Sequence, residues 1–167
     1  MTNIYLSLGS NLGRREEHLE RALDALAREG IRILARSPVY ETEPRDVPDQ
    51  PWFLNLAVAC ETGYAPLQLL DILQSIESEV GRVRDARPKG PRTLDIDLLL
   101  FGDVVIDTPR LTVPHPRMLE RRFVLEPLAE IAPDLRHPIA KKLLSEYLGG
   151  AAEQRVTLIP QSNWRLP

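Results

Sequence analysis

The sequence predicts a two-layer α/β (α+β) domain in which helices pack on one mostly antiparallel sheet. Two observations carry this expectation. The spacing of apolar residues alternates along the chain between strand and helix periods, and the segments follow the order β-α-β-β-α-β-β before a few short helices. This order matches the split βαβ arrangement, and the 43% of hydrophobic residues is enough for a buried core.

Apolar segments bounded by turn residues predict the strands. The first ends at a turn over Gly9, Ser10 and Asn11, and the segment that contains Asp95 and Asp97 ends at a turn over Gly102 and Asp103. A short strand after that second turn is expected to pair with the aspartate strand. The predicted strands cover residues 4–8, 31–35 with 39–40, 53–61 and 104–106, together with the aspartate segment that ends before Gly102.

Two stretches with helical spacing predict the main helices. The first begins near Arg15 and stops at Gly30, and the second begins at Pro66 and stops at Gly81. Residues 123–131 and 141–148 predict two short helices. The apolar stripes are Leu19, Ala22, Leu23 and Leu26 in the first helix and Leu69, Ile72, Leu73, Ile76 and Val80 in the second.

Two proline-rich or charged stretches, 42–51 and 82–92, are predicted to be long loops, which are often binding loops. We expect a single domain over 1–160 and a frayed tail over 161–167. His18 and His137 are interpreted as surface residues.

Composition excludes several classes of protein. A formal net charge of −3 argues against a nucleic-acid-binding polycation, and no apolar run is long enough to cross a membrane. A single cysteine, Cys60, rules out an internal disulfide framework and fits a reducing compartment. The amino terminus lacks the pattern of a signal peptide. We therefore expect a cytoplasmic protein, with a monomer as the default state.

Asp95 and Asp97 stand two residues apart in the apolar segment GPRTLDIDLLLFG. In a strand both side chains point to one face, and two carboxylates held together in a low dielectric repel each other. Magnesium is a suitable counter-charge because it binds oxygen ligands and often combines carboxylates with substrate phosphates. The pair therefore predicts a magnesium site, and two ions bridged by both carboxylates would have the usual two-metal spacing. The alternative is that both aspartates lie on a solvated strand face.

Arginines surround the aspartate pair in a protein that is acidic overall. Guanidinium groups make two-pronged hydrogen bonds to phosphate oxygens, so the cluster predicts a polyphosphate ligand. Two alternatives stay open: the arginines are ordinary surface charge, or they pair directly with the aspartates and nothing depends on magnesium. The cluster comprises Arg82, Arg84, Arg87 and Arg92 before the pair and Arg110, Arg117, Arg121 and Arg122 after it.

Other side chains could hold a flat heterocycle. Phe53 and Asn55 are predicted to point to one side of their strand, where an amide beside an aromatic ring can read a ring edge. Phe123 follows two arginines, and prolines on both sides of His115 could aim its imidazole at a phosphate or ribose. The alternatives are an Asn55 bonded to neighbouring backbone, a core phenylalanine and a plain loop histidine.

Longer motifs join these residues across nearly the whole chain. They are LGSNLG (8–13), YETEP (40–44), DQPWFLN (49–55), GRVR (81–84), GPRTLDIDLLLFG (90–102), LTVPHPRM (111–118) and EIAP (130–133). GPRTLDIDLLL is a highly specific signature. With these motifs the chain resembles the 6-hydroxymethyl-7,8-dihydropterin pyrophosphokinase family of the folate pathway.

The resemblance implies a ferredoxin-like α/β fold. It also implies transfer of the ATP diphosphate to the pterin hydroxymethyl group, with AMP as the second product. It implies Asp95 and Asp97 as ligands of two magnesium ions. Arg82, Arg92 and Asp97 would have catalytic roles. On the nucleotide side it implies Gln74, Glu77, Arg84, Arg110, Thr112, His115 and Arg121. Around the pterin it implies Phe53 and Phe123 as stacking rings, Asn55 as the reader of the ring edge, and backbone contacts from Thr42, Glu43, Pro44 and Arg45.

Two other functions stay open on the residues. A non-catalytic nucleotide- or RNA-binding module on the same fold would display the aromatic strings of an RNA-reading sheet, and only 5% of the residues are aromatic. A magnesium-dependent nucleotidyl or nucleoside triphosphate hydrolase would release ADP or free pyrophosphate instead of AMP and a pterin diphosphate.

Overall fold

The structure is a computed structural model, and it describes residues 1–44, 49–81 and 93–160. Within these ranges the chain forms strands and helices in the alternating order that the sequence predicts. The strands are β1 (Thr2–Ser10), β2 (Arg32–Arg36), β3 (Tyr40–Thr42), β4 (Phe53–Thr62), β5 (Asp95–Phe101), β6 (Ile106–Asp107), β7 (Thr112–Val113) and β8 (Val156–Leu158). The helices are α1 (Arg15–Arg28), α2 (Pro66–Val80) and α3 (Arg122–Ile131), with 3₁₀ turns at Met118–Glu120 and Leu144–Ala151.

The main sheet has the order β5-β1-β4-β3-β8, and β2 also pairs with β4. Every pairing in it is antiparallel. β1 is longer than predicted, because Gly9 and Ser10 continue the strand instead of forming a turn. Gly9 has partners on both sides, Asn55 of β4 and Asp95 of β5. The sheet therefore places the asparagine and the first aspartate in one row.

Helices α1 and α2 cover one face of the sheet and form the larger core. The predicted stripes are the buried sides of both helices, with Leu19 and Leu26 of α1 and Leu69 of α2 fully excluded from solvent. They pack on inward residues of the strands, such as Leu6 and Leu56. Because the 3.6-residue period puts the apolar side chains of a helix on one face, the two helices were predictable from the sequence.

The opposite face of the sheet carries a second, smaller core. Helix α3 and the 3₁₀ turns pack there against Ala57 and Leu100, through residues such as Met118 and Leu128. This cover reaches only one end of the face and leaves the end near Gly9 open. The predicted α/β class with an antiparallel sheet is confirmed, and the added layer is a difference from a strict two-layer arrangement.

Two predicted strand assignments differ from the structure. The second predicted strand is divided into β2 and β3 at Ser37-Pro38, because proline has no N–H for the ladder. The strand predicted at 104–106 does not pair with β5; Ile106–Asp107 pairs with Thr112–Val113 instead. The outer edge of β5 is already engaged, since Glu77 accepts from Ile96 N–H and Leu99 C=O accepts from His115 N–H.

The carboxyl-terminal part holds the remaining differences. The helix predicted at 141–148 is a 3₁₀ turn over Leu144–Ala151, and Lys141 has a left-handed φ of 64°, which no helix continues. Strand β8 was not predicted. His137 is buried, not exposed, while His18 is half-buried. The predicted loop over 82–92 and tail over 161–167 lie outside the described residues. None of the helices described is long and apolar enough to span a bilayer.

Candidate active site

A cavity of about 560 Å³ lies on the open end of the second sheet face and continues over the free edge of β5 to helix α2. This volume is typical of small-molecule sites. Pro44 does not line the cavity, and Arg45, Arg82, Arg84 and Arg92 are outside the described residues. The predicted site residues that line it are Thr42, Glu43, Phe53, Asn55, Gln74, Glu77, Asp95, Asp97, Arg110, Thr112, His115, Arg121 and Phe123.

Asp95 and Asp97 point to the cavity from β5, opposite Gly9 and Ser7 of β1. Both carboxylates are half-buried, while Ile96 between them faces the core. No group of three or more His, Cys, Asp or Glu residues that could hold a metal occurs in the described ranges. Two neighbouring oxygen donors on a cavity floor nevertheless fit magnesium, which completes its shell with phosphates and water.

Glu77 of α2 holds the strand that carries the two aspartates. Its Oε2 accepts a hydrogen bond of 2.8 Å from the backbone N–H of Ile96. That N–H lies on the outer edge of β5, where no further strand of the described residues supplies an acceptor. The carboxylate therefore fixes the edge strand between Asp95 and Asp97 to the helix behind it.

His115 lies on the segment between β7 and the first 3₁₀ turn. Its backbone N–H donates to the carbonyl of Leu99, and its Nδ1 accepts from the backbone N–H of Arg117 at 3.2 Å. Burial lowers the pKa of His115; the charge of Asp97 opposes this, and Arg121 and Arg117 add to it. Because Nδ1 accepts, the neutral ring carries its proton on Nε2 and can donate it to an acidic ligand.

Arg110 crosses the mouth of the cavity toward α2. Its Nη2 lies 2.5 Å from Oδ1 of Asp71, and both side chains are more than half exposed, at 53% and 63%. An ion pair this exposed contributes little stability, so the guanidinium can exchange its partner for a phosphate at low cost. Gln74 lines the cavity one helical turn beyond Asp71.

The aromatic rings of Phe53 and Phe123 line the same cavity from β4 and from the first turn of α3. The guanidinium carbon of Arg121 lies 5.5 Å from the centre of the Phe123 ring, within cation–π range. Phe123 also packs against the smaller core. The alternative that Phe123 is simply a core residue is therefore only partly right, because its ring also lines the cavity.

The side chain of Asn55 is buried on the cavity floor, with 4% of its surface exposed. Its Nδ2 donates to Oγ1 of Thr42, which is also buried. The alternative of an Asn55 amide bonded to neighbouring backbone is therefore not what the structure has. The amide bonds a side chain of the neighbouring strand instead. Gly9 allows this packing, since a Cβ there would lie 2.6 Å from Oδ1 of Asn55.

Residues far along the chain support two walls of the cavity, and local patterns gave no signal for them. Gln154 accepts from Arg122 N–H at 2.9 Å and donates to Glu120 C=O at 2.7 Å, which holds the start of α3. Glu43 accepts from Arg155 N–H with its carboxylate and donates to Arg155 C=O with its own N–H. The Glu43 side chain thus bonds the segment before β8.

The sequence profile of the 7,8-dihydro-6-hydroxymethylpterin-pyrophosphokinase family matches residues 5–133, and these include every cavity residue described above. The match covers most of the chain. The chain belongs to this family. Membership supports a pyrophosphokinase role in folate biosynthesis, which confirms the function predicted from the sequence. Strand β8 and Arg155, the partner of Glu43, lie beyond the matched segment.

Relatives of known name agree with the family. The chain is 53% identical over 141 residues to the 2-amino-4-hydroxy-6-hydroxymethyldihydropteridine pyrophosphokinase of Pseudomonas aeruginosa, covering 84% of this chain and 86% of that protein. It is 50% identical over 133 residues to the Bacillus subtilis protein of the same name, covering 78% and 79%. The folic acid synthesis protein fol1 of Schizosaccharomyces pombe is 46% identical over 155 residues, 92% of this chain but only 21% of the fission yeast protein.

A solved structure supports the fold of this pyrophosphokinase family member. The Plasmodium falciparum HPPK-DHPS wild-type structure superposes with a TM-score of 0.71 at 15% identity. The superposition covers 89% of this chain and 44% of that one. The chain thus spans under half of the solved protein, and the likeness bears on the fold alone.

Proposed function

We propose that this chain transfers the diphosphate of ATP to the hydroxymethyl group of 6-hydroxymethyl-7,8-dihydropterin, giving the pterin diphosphate and AMP. The observation that carries the proposal is the lining of one cavity. A carboxylate pair, Asp95 and Asp97, and a ring-binding group, Phe53, Asn55 and Phe123, share that cavity. A substrate with a flat ring and a phosphate-bearing co-substrate fit these two halves.

The proposed cofactor is Mg²⁺, as two ions held by Asp95 and Asp97. When bound, magnesium would neutralise phosphate charge and polarise the attacking hydroxyl. Strand β5 supports this, because it presents both half-buried carboxylates on one face. Asp97 lies close enough to His115 for its charge to act on the imidazole. Glu77 would keep the two carboxylates in register by its bond to Ile96 N–H.

The nucleotide is proposed to bind between α2 and the segment from Arg110 to Arg121. His115 would donate from Nε2 and Arg121 from its guanidinium to phosphate oxygens, and Arg110 would leave Asp71 to do the same. Gln74, Arg84 and Thr112 complete the proposed nucleotide side. By resemblance, Arg82 and Arg92 would offset charge on the moving diphosphoryl group, so that catalysis is mainly positioning and electrostatics.

The pterin is proposed to stack between Phe53 and Phe123, with its ring edge on Asn55. Backbone groups of Thr42, Glu43, Pro44 and Arg45 would contact the same edge. The bonds from Glu43 to Arg155 support this arrangement, because they hold the backbone that follows β3 next to strand β8. Enclosing both substrates would exclude water and suppress hydrolysis of ATP.

Product analysis tests the proposal. The protein is incubated with ATP, magnesium and 6-hydroxymethyl-7,8-dihydropterin, and the nucleotide product is identified by chromatography. AMP together with the pterin diphosphate is expected. ADP or free pyrophosphate would favour the hydrolase alternative instead.

A pair of matched variants tests the carboxylates. Asp97→Asn should lower turnover at least about 100-fold, because a neutral amide is a poor magnesium ligand, and leave the melting temperature near the wild-type value. Asp103→Asn, an exposed carboxylate on the turn after β5, should keep wild-type turnover. Normal turnover of Asp97→Asn would contradict the metal assignment.

The predicted monomeric state, cytoplasmic location and single domain over 1–160 stay predictions. Size-exclusion chromatography with light scattering would measure the first.

A further inference from the structure

We propose that Thr42 and Gly9 lock the amide of Asn55 in one orientation, and that this lock decides which ring edges the cavity accepts. Thr42 acts here through Asn55 and is a positioning residue. The inference rests on the proposed function, since it concerns how the pterin is told apart from related heterocycles.

The anchor is the hydrogen bond from Asn55 Nδ2 to Thr42 Oγ1. Tyr40 lies directly opposite Asn55, and Thr42 directly opposite Phe53, so Thr42 and Asn55 are diagonal neighbours on one face of β3 and β4. Both side chains are almost fully buried, at 2% and 4% exposure. Loss of either partner at such a buried site leaves a polar group unpaired, which is costly.

Gly9 selects which end of the amide the hydroxyl holds. A threonine hydroxyl can bond either the oxygen or the nitrogen of an amide, so Thr42 alone does not choose. Oδ1 lies against the α-carbon of Gly9, close enough that a Cβ would be 2.6 Å away. Carbon-bound hydrogens there tolerate an oxygen as a weak acceptor, whereas an NH₂ group would have no acceptor for its hydrogens.

The lock leaves a defined set of polar atoms for a ligand. Asn55 makes no other side-chain hydrogen bond within the described ranges, so one N–H and the lone pairs of Oδ1 are available. An amide that could turn by 180° would pair with a ligand edge in either order of its hydrogen-bond donors and acceptors. A locked amide accepts only one of them and rejects the other by leaving polar groups unpaired.

Two pteridines with reversed patterns test this. 6-Hydroxymethylpterin has an oxo acceptor at position 4, and 2,4-diamino-6-hydroxymethylpteridine has an amino donor there. Isothermal titration gives the ratio of their dissociation constants for wild type, Thr42→Val and Thr42→Ser. We expect a wild-type preference for the oxo compound of about tenfold or more. Thr42→Val should lower this ratio about three- to tenfold, and Thr42→Ser should restore it to within about twofold.

A second measurement covers the case in which Thr42→Val folds poorly. The side-chain amide signal of Asn55 is assigned by its loss in Asn55→Ala, and its hydrogen exchange is measured in wild type and in Thr42→Ala. Faster exchange in Thr42→Ala supports the lock, and equal exchange overturns it.

The outcomes separate the inference from the proposed function. If Thr42→Val weakens both pteridines equally and keeps their ratio, Thr42 is merely structural and the inference is wrong. If wild type binds neither pteridine, the proposed function itself fails. Strong discrimination in wild type, with an unchanged ratio in Thr42→Val and unchanged amide exchange in Thr42→Ala, would overturn the inference and leave the proposed function standing.

Discussion

Gly9 occupies the middle of a row that runs from Asp95 through Gly9 to Asn55, so it connects the acidic and the ring-binding halves of the cavity floor. Glycine inside a strand often marks a close approach of another group. Here the group is the amide of Asn55, which would meet an added methyl at 2.6 Å.

We predict that Gly9→Ala lowers the free energy of unfolding by about 1–3 kcal/mol, because the buried amide must shift in a tightly packed site. Urea denaturation measures the effect. Gly149→Ala is the matched control, since a Cβ at Gly149 meets nothing within 4 Å. Equal stability of the two variants would show that the site relaxes freely.

His137 carries a prediction about pH. Burial lowers the pKa of His137 below its ordinary value of 6.5, and its Nδ1 accepts from the N–H groups of Ile139 and Ala140. The unfolded chain therefore binds a proton more readily than the folded chain does. The contribution of neutral His137 to the free energy of unfolding is fully present above about pH 6.5. It falls as the pH drops below that value.

His137→Asn should weaken this pH dependence, because the amide oxygen can accept the same bonds and does not titrate. Denaturation at pH 7.5 and pH 5.5 is compared for the two proteins. An equal loss of stability in wild type and variant would assign the dependence to other groups, such as His115, whose pKa is also lowered by burial.

At the scale of elements, the carboxyl-terminal segment supports two walls of the site. Gln154 joins the last residue of the 3₁₀ turn at Met118–Glu120 to the first residue of α3. Arg122 adds bonds to the carbonyls of Ala152 and Gln154. These contacts fix the place where Arg121 and Phe123 enter the cavity.

We predict that Gln154→Ala destabilises the protein by about 1–3 kcal/mol, since the N–H of Arg122 and the carbonyl of Glu120 lose their buried partner. The free energy of unfolding is measured in urea. Glu153→Ala, an exposed neighbour, should stay within about 0.5 kcal/mol of wild type. A Gln154→Ala value in that same narrow range would contradict the supporting role.

At the scale of the whole molecule, ligand binding should appear as added stability. With a non-hydrolysable ATP analogue and magnesium at about 100 times the dissociation constant, linkage gives about 2.7 kcal/mol. For a chain of this size that corresponds to a rise of roughly 5–10 °C in Tm. Chelation of the metal by EDTA should remove most of the rise.

Two variants make the thermal shift specific. Asp97→Asn should lose the magnesium-dependent part, and Asp103→Asn should keep it. A full shift in EDTA, or in Asp97→Asn, would mean that the nucleotide binds without the proposed ions and that arginines alone hold the phosphates.

The sequence by itself determined the helices α1 and α2, the antiparallel sheet class and the common face of Asp95 and Asp97. These follow from periods of 3.6 and 2 residues, which are local properties of the chain. It also determined the family, because GPRTLDIDLLL and its companion motifs are contiguous strings.

Only the tertiary structure decided the partners that are distant along the chain: Gly9 against Asn55, Glu77 on the edge of β5, Gln154 at the start of α3 and Arg155 on Glu43. The contacts of Glu77 and His115 on the outer edge of β5 also exclude the pairing expected for the strand at 104–106. For each of these pairings, many other donors, acceptors and strand edges of the chain have similar local chemistry. Such a choice depends on which groups the folded core brings together, and no local spacing encodes it.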